Sequence, residues 1–382
     1  MINDIIYLDN AATTKPFKEV VEAMIPYLSV NFGNPSSIYS LGGKSKVAIE
    51  KARVILARDL NCSPNEVFFT SSGTESDNWA LKGVAEGYRN KGRHIITSKI
   101  EHPAILSTCR YLEDRGYEIT YLNVDKNGIV SIEELKKLIR KDTILVSIMY
   151  ANNEIGTIQP IQEIGEICKD NNTLFHTDAV QAYGLYDIDI KKLNIDLFSI
   201  SSHKINGPKG VGALYVKDGI ILENFIHGGS QEKDKRGSTE NVAGVVGFGK
   251  AIELTSQNRE ENRNILLKNR DYFMEKLKEK IPNTKINGDI KNRLANNINV
   301  TFENINAESL LMALDMNNIA ASSGSACSSG TIESSHVLDA IGLSKKNAKS
   351  TIRFSIGIDN SKEDLEYVID TLKNILEKME NY

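Results

Sequence analysis

From about residue 44 to residue 216, helix-period segments and short apolar runs take turns along the chain. This alternation limits the fold more than any other feature. Helical spacing occupies 44–60, 75–90, 103–116 and 131–141, and strand-like runs fall at 66–70, 94–98, 118–122, 143–150, 173–178 and 196–201. Strands that alternate with helices imply crossover connections and a mainly parallel sheet covered on both faces. A seventh run, 210–216, follows the sixth too closely for a helical crossover and is expected to pair antiparallel. Beyond residue 240 the order changes. A long helical stretch over 240–281, broken or bent near 255–258, precedes strand-like 297–303, a helix from Glu308, strand-like 351–356 and a helix from Lys362. That mixture predicts a smaller α+β unit.

Open parallel sheets bind ligands beyond the carboxyl ends of their strands, and several polar groups fall there. In Thr-Ser-Ser-Gly-Thr-Glu (70–75), Gly73 and Thr74 would open a helix whose N–H groups suit a phosphate, or Ser72 and Glu75 form an ordinary capping box. His102, in Glu-His-Pro (101–103), could stack on a flat ring or move protons, or be a hydrogen-bonded loop residue. Asn152 and Asn153, in Asn-Asn-Glu-Ile-Gly (152–156), read first as a turn. Asp178, in His-Thr-Asp-Ala-Val-Gln (176–181), could hold a protonated ring nitrogen, or be a helix cap. Lys204, in Ser-Ser-His-Lys (201–204), is either a solvated loop lysine or one that forms a Schiff base with a carbonyl. A phosphate cradle, a ring-facing histidine, an aspartate and a lysine at successive strand ends match a pyridoxal phosphate site.

The four cysteines are Cys62, Cys109, Cys168 and Cys327. No two are spaced for a zinc site, and no disulfide framework is indicated. Cys109 and Cys168 lie in helical patterns and read as small core residues. Only Cys327 stands among glycines and serines, in Ser-Ser-Gly-Ser-Ala-Cys-Ser-Ser (322–329). A stretch this poor in side chains that can be buried is expected to move. A net charge of −4, mixed along the chain, gives no basic surface for nucleic acid or an anionic membrane. With no signal-peptide pattern at the N-terminus and no run near the roughly 20 apolar residues of a membrane span, a cytoplasmic protein is expected.

Tyr-Leu-Asp-Asn-Ala-Ala-Thr-Thr (7–14), Asn-Pro-Ser-Ser (34–37) and the strand-end motifs above resemble the class V aminotransferase group of fold-type I pyridoxal-phosphate enzymes. Within it, the run around Cys327 and Gly-Ser-Thr-Glu-Asn (237–241) resemble the cysteine desulfurases of the NifS/IscS branch. The Arg-x-Gly-x-x-Cys setting of the other desulfurase branch is absent. The resemblance spans nearly the whole chain with its motifs in order. It implies an α/β fold with a large domain (15–255) built on a mainly parallel seven-stranded sheet. A smaller α+β domain (1–14 with 256–382) would carry the cysteine stretch, about 321–331.

The resemblance also implies roles. Lys204 holds pyridoxal 5'-phosphate covalently, Asp178 pairs with its ring nitrogen, Gln181 contacts its ring oxygen, and His102 stacks on it and helps move protons. Gly73, Thr74, Ser201 and His203 bind the phosphate, joined by Thr239 from the second subunit of a homodimer. Asn153 and Arg353 hold the carboxylate of L-cysteine, and Asn153 also faces the cofactor. Cys327 takes the sulfur as a persulfide and passes it to an acceptor such as an iron–sulfur scaffold protein. No resident metal is implied, with Cys327 at most a transient ligand during transfer. Ser202 departs from the family, in which Gly or Ala is frequent at that position. Two rivals stay open: a class V aminotransferase or selenocysteine lyase that does not need Cys327, and a non-catalytic sulfur carrier that kept the fold.

Overall fold

The computed structural model describes residues 5–324 and 335–380. Its main sheet has seven strands in the order Val67–Thr70, Gly212–Val216, Leu197–Ser201, Leu174–Asp178, Thr143–Ser147, His94–Ser98 and Glu118–Leu122. Gly212–Val216 runs antiparallel to both neighbours, as its short connection to Leu197–Ser201 requires, and the remaining pairs are parallel.

The pleat divides adjacent residues between two cores. Phe69, Ile96, Val146 and Phe198 join the face covered by Ser40–Asp59, Val242–Gln257 and Ile161–Asp170. Phe68, Ile95, Leu145 and Leu197 join the opposite face, covered by Gly73–Gly87 and Pro103–Glu113 through Trp79, Leu81, Ile105 and Leu112. With helices on both sides, the inner strands are buried along their length, and only edge strand Glu118–Leu122 is exposed at its start.

The second unit is a three-stranded antiparallel sheet with Asn297–Phe302 between Thr351–Ser355 and Thr284–Ile286. Arg259–Lys280 and Lys362–Glu380 cover it, and Phe273, Phe302, Phe354, Leu365 and Leu372 fill its core. The N-terminus belongs with this unit. Ile6–Tyr7 pairs in parallel with Ile319–Ala320, Leu8 lies in the same core, and Asp9 bridges to Ser355.

The long helical stretch breaks at Asn258, within the expected 255–258, into Val242–Gln257 and Arg259–Lys280. One element differs from expectation. Helix Lys18–Ser29 is additional, and its pattern is ambiguous because it buries only Val20 and leaves Val21, Ile25 and Leu28 exposed. No helix among the described residues is long and apolar enough to cross a membrane.

Candidate active site

The first site element is the turn from strand Val67–Thr70 into helix Gly73–Gly87. Ser72 Oγ accepts from the Glu75 amide at 3.2 Å. The Glu75 carboxylate accepts from the Ser71 amide at 2.8 Å and binds Arg236 at 2.8 and 3.1 Å. The capping box is therefore displaced by one residue. The amides of Gly73 and Thr74 remain at the open helix end, where an α-helix has no internal acceptors for them. Glycine is needed at 73, since a Cβ there would lie 2.6 Å from Val180 Cγ2 and 3.6 Å from Ser201 Cβ.

Beside this helix end, Ser201 Oγ is buried without a hydrogen-bond partner. An orphaned buried hydroxyl costs about 1–3 kcal/mol and marks a place that a ligand completes. His203 Nδ1 lies 3.1 Å from Thr13 Oγ1. Burial, reinforced by the charges of Lys204 and Lys209, pushes the His203 imidazole down to about 4. A phosphate would reverse that electrostatic cost and use the helix end.

The second element is the wall around Asp178, the last residue of Leu174–Asp178. Asp178 Oδ1 accepts from the Val180 amide at 2.9 Å, so it forms a turn and caps no helix. Burial raises its pKa, against the opposing pull of His102, that hydrogen bond and Lys204. The polar groups behind it lie deep in the sheet. His176 is held between Ser147 Oγ and Ser199 Oγ, both at 2.9 Å, and burial pushes it down to about 3. Asp77 Oδ1 lies 3.7 Å from His176 Nε2 and has no hydrogen-bond partner. Burial, with Asp178 and Glu101 adding repulsion against a hydrogen bond from Ser199, raises the Asp77 pKa. With the imidazole neutral, the Asp77–His176 contact is not an ion pair. A cationic ring nitrogen would supply what Asp178 lacks.

His102 caps helix Pro103–Glu113. Its Nδ1 accepts from the Ala104 amide at 3.1 Å, so the ring proton sits on Nε2. Burial lowers its pKa, with Asp178 opposing and Lys204 and His336 contributing. Lys204 ends the short turn Ser202–Lys204, and Nζ donates to the carbonyl of Ala12 at 2.7 Å and to that of Ala11. Gln181 Nε2 donates to the same Ala11 carbonyl at 3.0 Å. A cavity of about 570 Å³ reaches Lys204 and Gln181 along with Asn10 and Thr13. A recess of about 490 Å³ reaches Thr74 and His102 from the other side.

The third element lies where the two sheets meet. Asn152 Oδ1 accepts from the amides of Glu154 and Ile155, both at 2.9 Å, and Gly156 has φ +76°, which makes 152–156 a tight turn. Asn153 offers its carbonyl to Arg353 Nη1 at 3.1 Å. Arg353 Nη2 binds Asp9 Oδ1 at 2.6 Å, and its Nε is buried without a partner. The guanidinium is thus engaged at both Nη atoms, with Nε a buried donor left unpaired. Sequence reasoning missed Asp9 and Asp77. Asp9 has no local signal because its partner is 344 residues away. Asp77 could have been found as a polar residue beside Ser76 and Trp79 on the buried side of a helix.

Thr239 is exposed. Cys327 lies outside the described residues. Cys62 is half-buried, and Cys109 and Cys168 are buried. Burial pushes Cys62 and Cys109 up to about 12 and Cys168 higher still, so none of these three is a ready thiolate.

Residues 6–368 match the family Aminotransferase class-V. A curated relative, "Cysteine desulfurase IscS" of Methanosarcina thermophila, is 56% identical over 99% of this chain and 94% of its own length. The chain belongs to the class-V aminotransferase family, in its cysteine desulfurase branch. Among solved structures, a "NIFS-LIKE PROTEIN" superposes with a TM-score of 0.92 at 39% identity, covering 98% of this chain and all of its own. "SspA in complex with cysteine" superposes at 0.81 with 38% identity, covering 93% and 100%. These are pyridoxal-phosphate-dependent folds. The open helix end, the orphaned Ser201 hydroxyl, the buried Asp178 carboxylate and the Lys204 amine fit that cofactor.

Proposed function

We propose that the strand-end residues divide the work of a pyridoxal 5'-phosphate-dependent cysteine desulfurase among themselves. Gly73, Thr74, Ser201 and His203 hold the phosphate. Asp178 faces the ring nitrogen, Gln181 the ring oxygen, and His102 covers the ring, with Asn153 beside it. When bound, the cofactor supplies an electron sink for the charge that develops as the substrate loses its α-proton.

Lys204 Nζ holds the cofactor aldehyde and, once released by the substrate amine, accepts the α-proton. A cationic ring nitrogen would favour the charged form of Asp178, beside which His176 stays neutral. Arg353 and Asn153 fix the substrate carboxylate and with it the direction of the Cβ–Sγ bond. The Cys327 thiolate attacks the substrate sulfur. A new S–S bond forms, the Cβ–Sγ bond breaks with its electron pair left on carbon, and the carbon takes a proton. L-cysteine and the Cys327 thiol become L-alanine and a Cys327 persulfide. The observation that carries this assignment is Asp178, a carboxylate 7% exposed at the strand end beside His102 and Lys204.

The persulfide passes to a sulfur-acceptor protein, such as an iron–sulfur scaffold, in the cytoplasm. A homodimer is favoured by the apolar side chains left bare after residue 20, including Leu28 at 68%, Phe32 at 71% and Ile38, which is fully exposed. A patch of this kind marks an interface, and exposed Thr239 would complete the partner's phosphate cradle. The division at residues 15–255 against 1–14 with 256–382 is supported by the separate cores of Val20 to Ile252 and of Leu8 with Phe273 and Phe354.

Cys327→Ala is the deciding variant. It should keep the yellow cofactor and lose sulfide release and alanine formation, while labelled cysteine marks the peptide holding Cys327 only in the parent. Sulfide release at the parent's rate would favour the aminotransferase or lyase rival. A protein that stays colourless with added pyridoxal phosphate would favour the carrier.

A further inference from the structure

Glu154 is a buried carboxylate, 4% exposed, that none of the steps above uses. Its backbone is fixed on both sides. The amide donates to Asn152 Oδ1, and the carbonyl accepts from Asn297 Nδ2 at 3.1 Å and Asn299 Nδ2 at 3.2 Å, both on the central strand of the smaller sheet. Its side chain is directed at two places far from it in sequence. Ser335 Oγ donates to Glu154 Oε2 at 2.5 Å. The same hydroxyl accepts from the amides of Val337 and Leu338 at 3.2 and 3.3 Å, so its one hydrogen is committed to the carboxylate.

Gly324 lies on the same carboxylate. A Cβ there would sit 3.2 Å from Glu154 Oε2, and φ is +89°. The approach needs glycine, both for room and for the left-handed backbone. Two residues earlier, Ser322 is zipped to Arg353: each amide donates to the other's carbonyl, at 3.2 and 2.6 Å. On the far side, His336 Nε2 donates to the carbonyl of Glu101, next to His102, at 2.9 Å. Gly324 and Ser335 are the described residues on either side of 325–334, the stretch whose sequence contains Cys327. Ser335 bonds this carboxylate, Gly324 packs close to it while its amide donates to Ser322 Oγ at 3.1 Å, and the carboxylate follows Asn153, whose carbonyl accepts from Arg353.

We propose that Glu154 is a positioning residue for sulfur transfer: it ties the two described flanks of the Cys327 stretch to the wall that takes the substrate carboxylate. The thiol-bearing segment and the substrate are then referenced to one rigid point, and proximity effects in a two-centre reaction depend on such shared reference. This rests on the reading of Cys327 as the sulfur acceptor.

The test separates two steps in the holoenzyme. The first is the cofactor absorbance change on mixing with L-cysteine. The second is persulfide formation on Cys327, followed by alkylation and mass spectrometry. In Glu154→Gln, the first step should stay within about twofold of the parent while the second slows about tenfold or more, the range that loss of an oriented contact covers. Ser335→Ala should show the same split, Ser335→Thr should restore the second step, and the double variant should be no slower than either single one.

Persulfide formation at the parent's rate in Glu154→Gln and Ser335→Ala overturns the proposal. So does an equal slowing of both steps, which is the mark of general loosening. If Glu154→Gln does not fold, the Ser335→Ala and Ser335→Thr pair decides. Cys327→Ala is measured alongside. Sulfide release surviving there defeats the Cys327 reading and the Glu154 proposal with it, whereas loss of release there beside parent-rate persulfide formation in Glu154→Gln and Ser335→Ala defeats the Glu154 proposal alone.

Discussion

Behind the Asp178 carboxylate stand a neutral His176 between two serine hydroxyls and Asp77, whose pKa burial raises. At Arg353 charge meets charge, with Asp9 at 2.6 Å and the Asn153 carbonyl at 3.1 Å. The neighbours of Asp178 come from adjacent strands of one sheet, where Asp178 is in register with Ser199 and Ser147 with His176. Those of Arg353 are 344 and 200 residues away. The first region reserves its charge for a ligand and gets its order from sheet register. The second spends part of its charge on joining distant pieces of chain, and its order depends on the whole molecule being assembled. A buried charge without a partner is costly, so the Asp178 wall should respond most to its cofactor and the Arg353 wall most to substrate.

The largest expected effect is that of Asp178→Asn. Removing the charge while keeping the shape should lower cysteine turnover roughly 10²–10³-fold, the cost typical of losing an aligned electrostatic group. The bound-cofactor absorbance should persist. A drop smaller than tenfold would mean that the Asp178 wall is not reserved for a ring cation.

Arg353→Lys is expected to act more mildly and on a different constant. A lysine cannot reproduce the planar fork. Losing a hydrogen bond to a charged group is worth about 1.5–3 kcal/mol, so KM for L-cysteine should rise about 10–100-fold with kcat less affected. A fall in kcat at unchanged KM would place Arg353 in the chemistry and erase the contrast between the two walls.

The smallest effect concerns pH. His176 is pushed down to about 3 in the folded protein, against about 6.5 for an unfolded chain. As pH falls below about 6.5, the unfolded state takes a proton that the folded state refuses. Stability is then lost, by at most about 1.4 kcal/mol per pH unit from this group, until the folded imidazole also titrates. His176→Gln should flatten the acid limb of a plot of Tm against pH. An unchanged limb would mean that the imidazole is not held neutral and that the Asp178 wall is less dry than its geometry implies.

Much of the fold is legible from local pattern, because strand and helix periods are properties of short segments. The six parallel strands and the antiparallel Gly212–Val216 follow from spacing and connection length. Helix Lys18–Ser29 is less legible because its apolar side chains face outward, and no periodicity argument anticipates a face left bare. At the site, Gly73, His102, Asp178 and Lys204 are readable because each sits just past a strand, and chain order alone brings strand ends of a parallel sheet to one edge.

What the chain order of residues determines by itself is the parallel sheet, the edge where its polar residues gather, and the family to which those motifs belong. The tertiary structure alone decides that Asp9 holds Arg353, that burial pushes the His176 imidazole down to about 3, and that Glu154 receives Ser335 with Gly324 close by. These are contacts between segments distant in sequence, or protonation states set by burial. Local propensity carries no information about either, because both arise only when separate pieces of chain exclude water together.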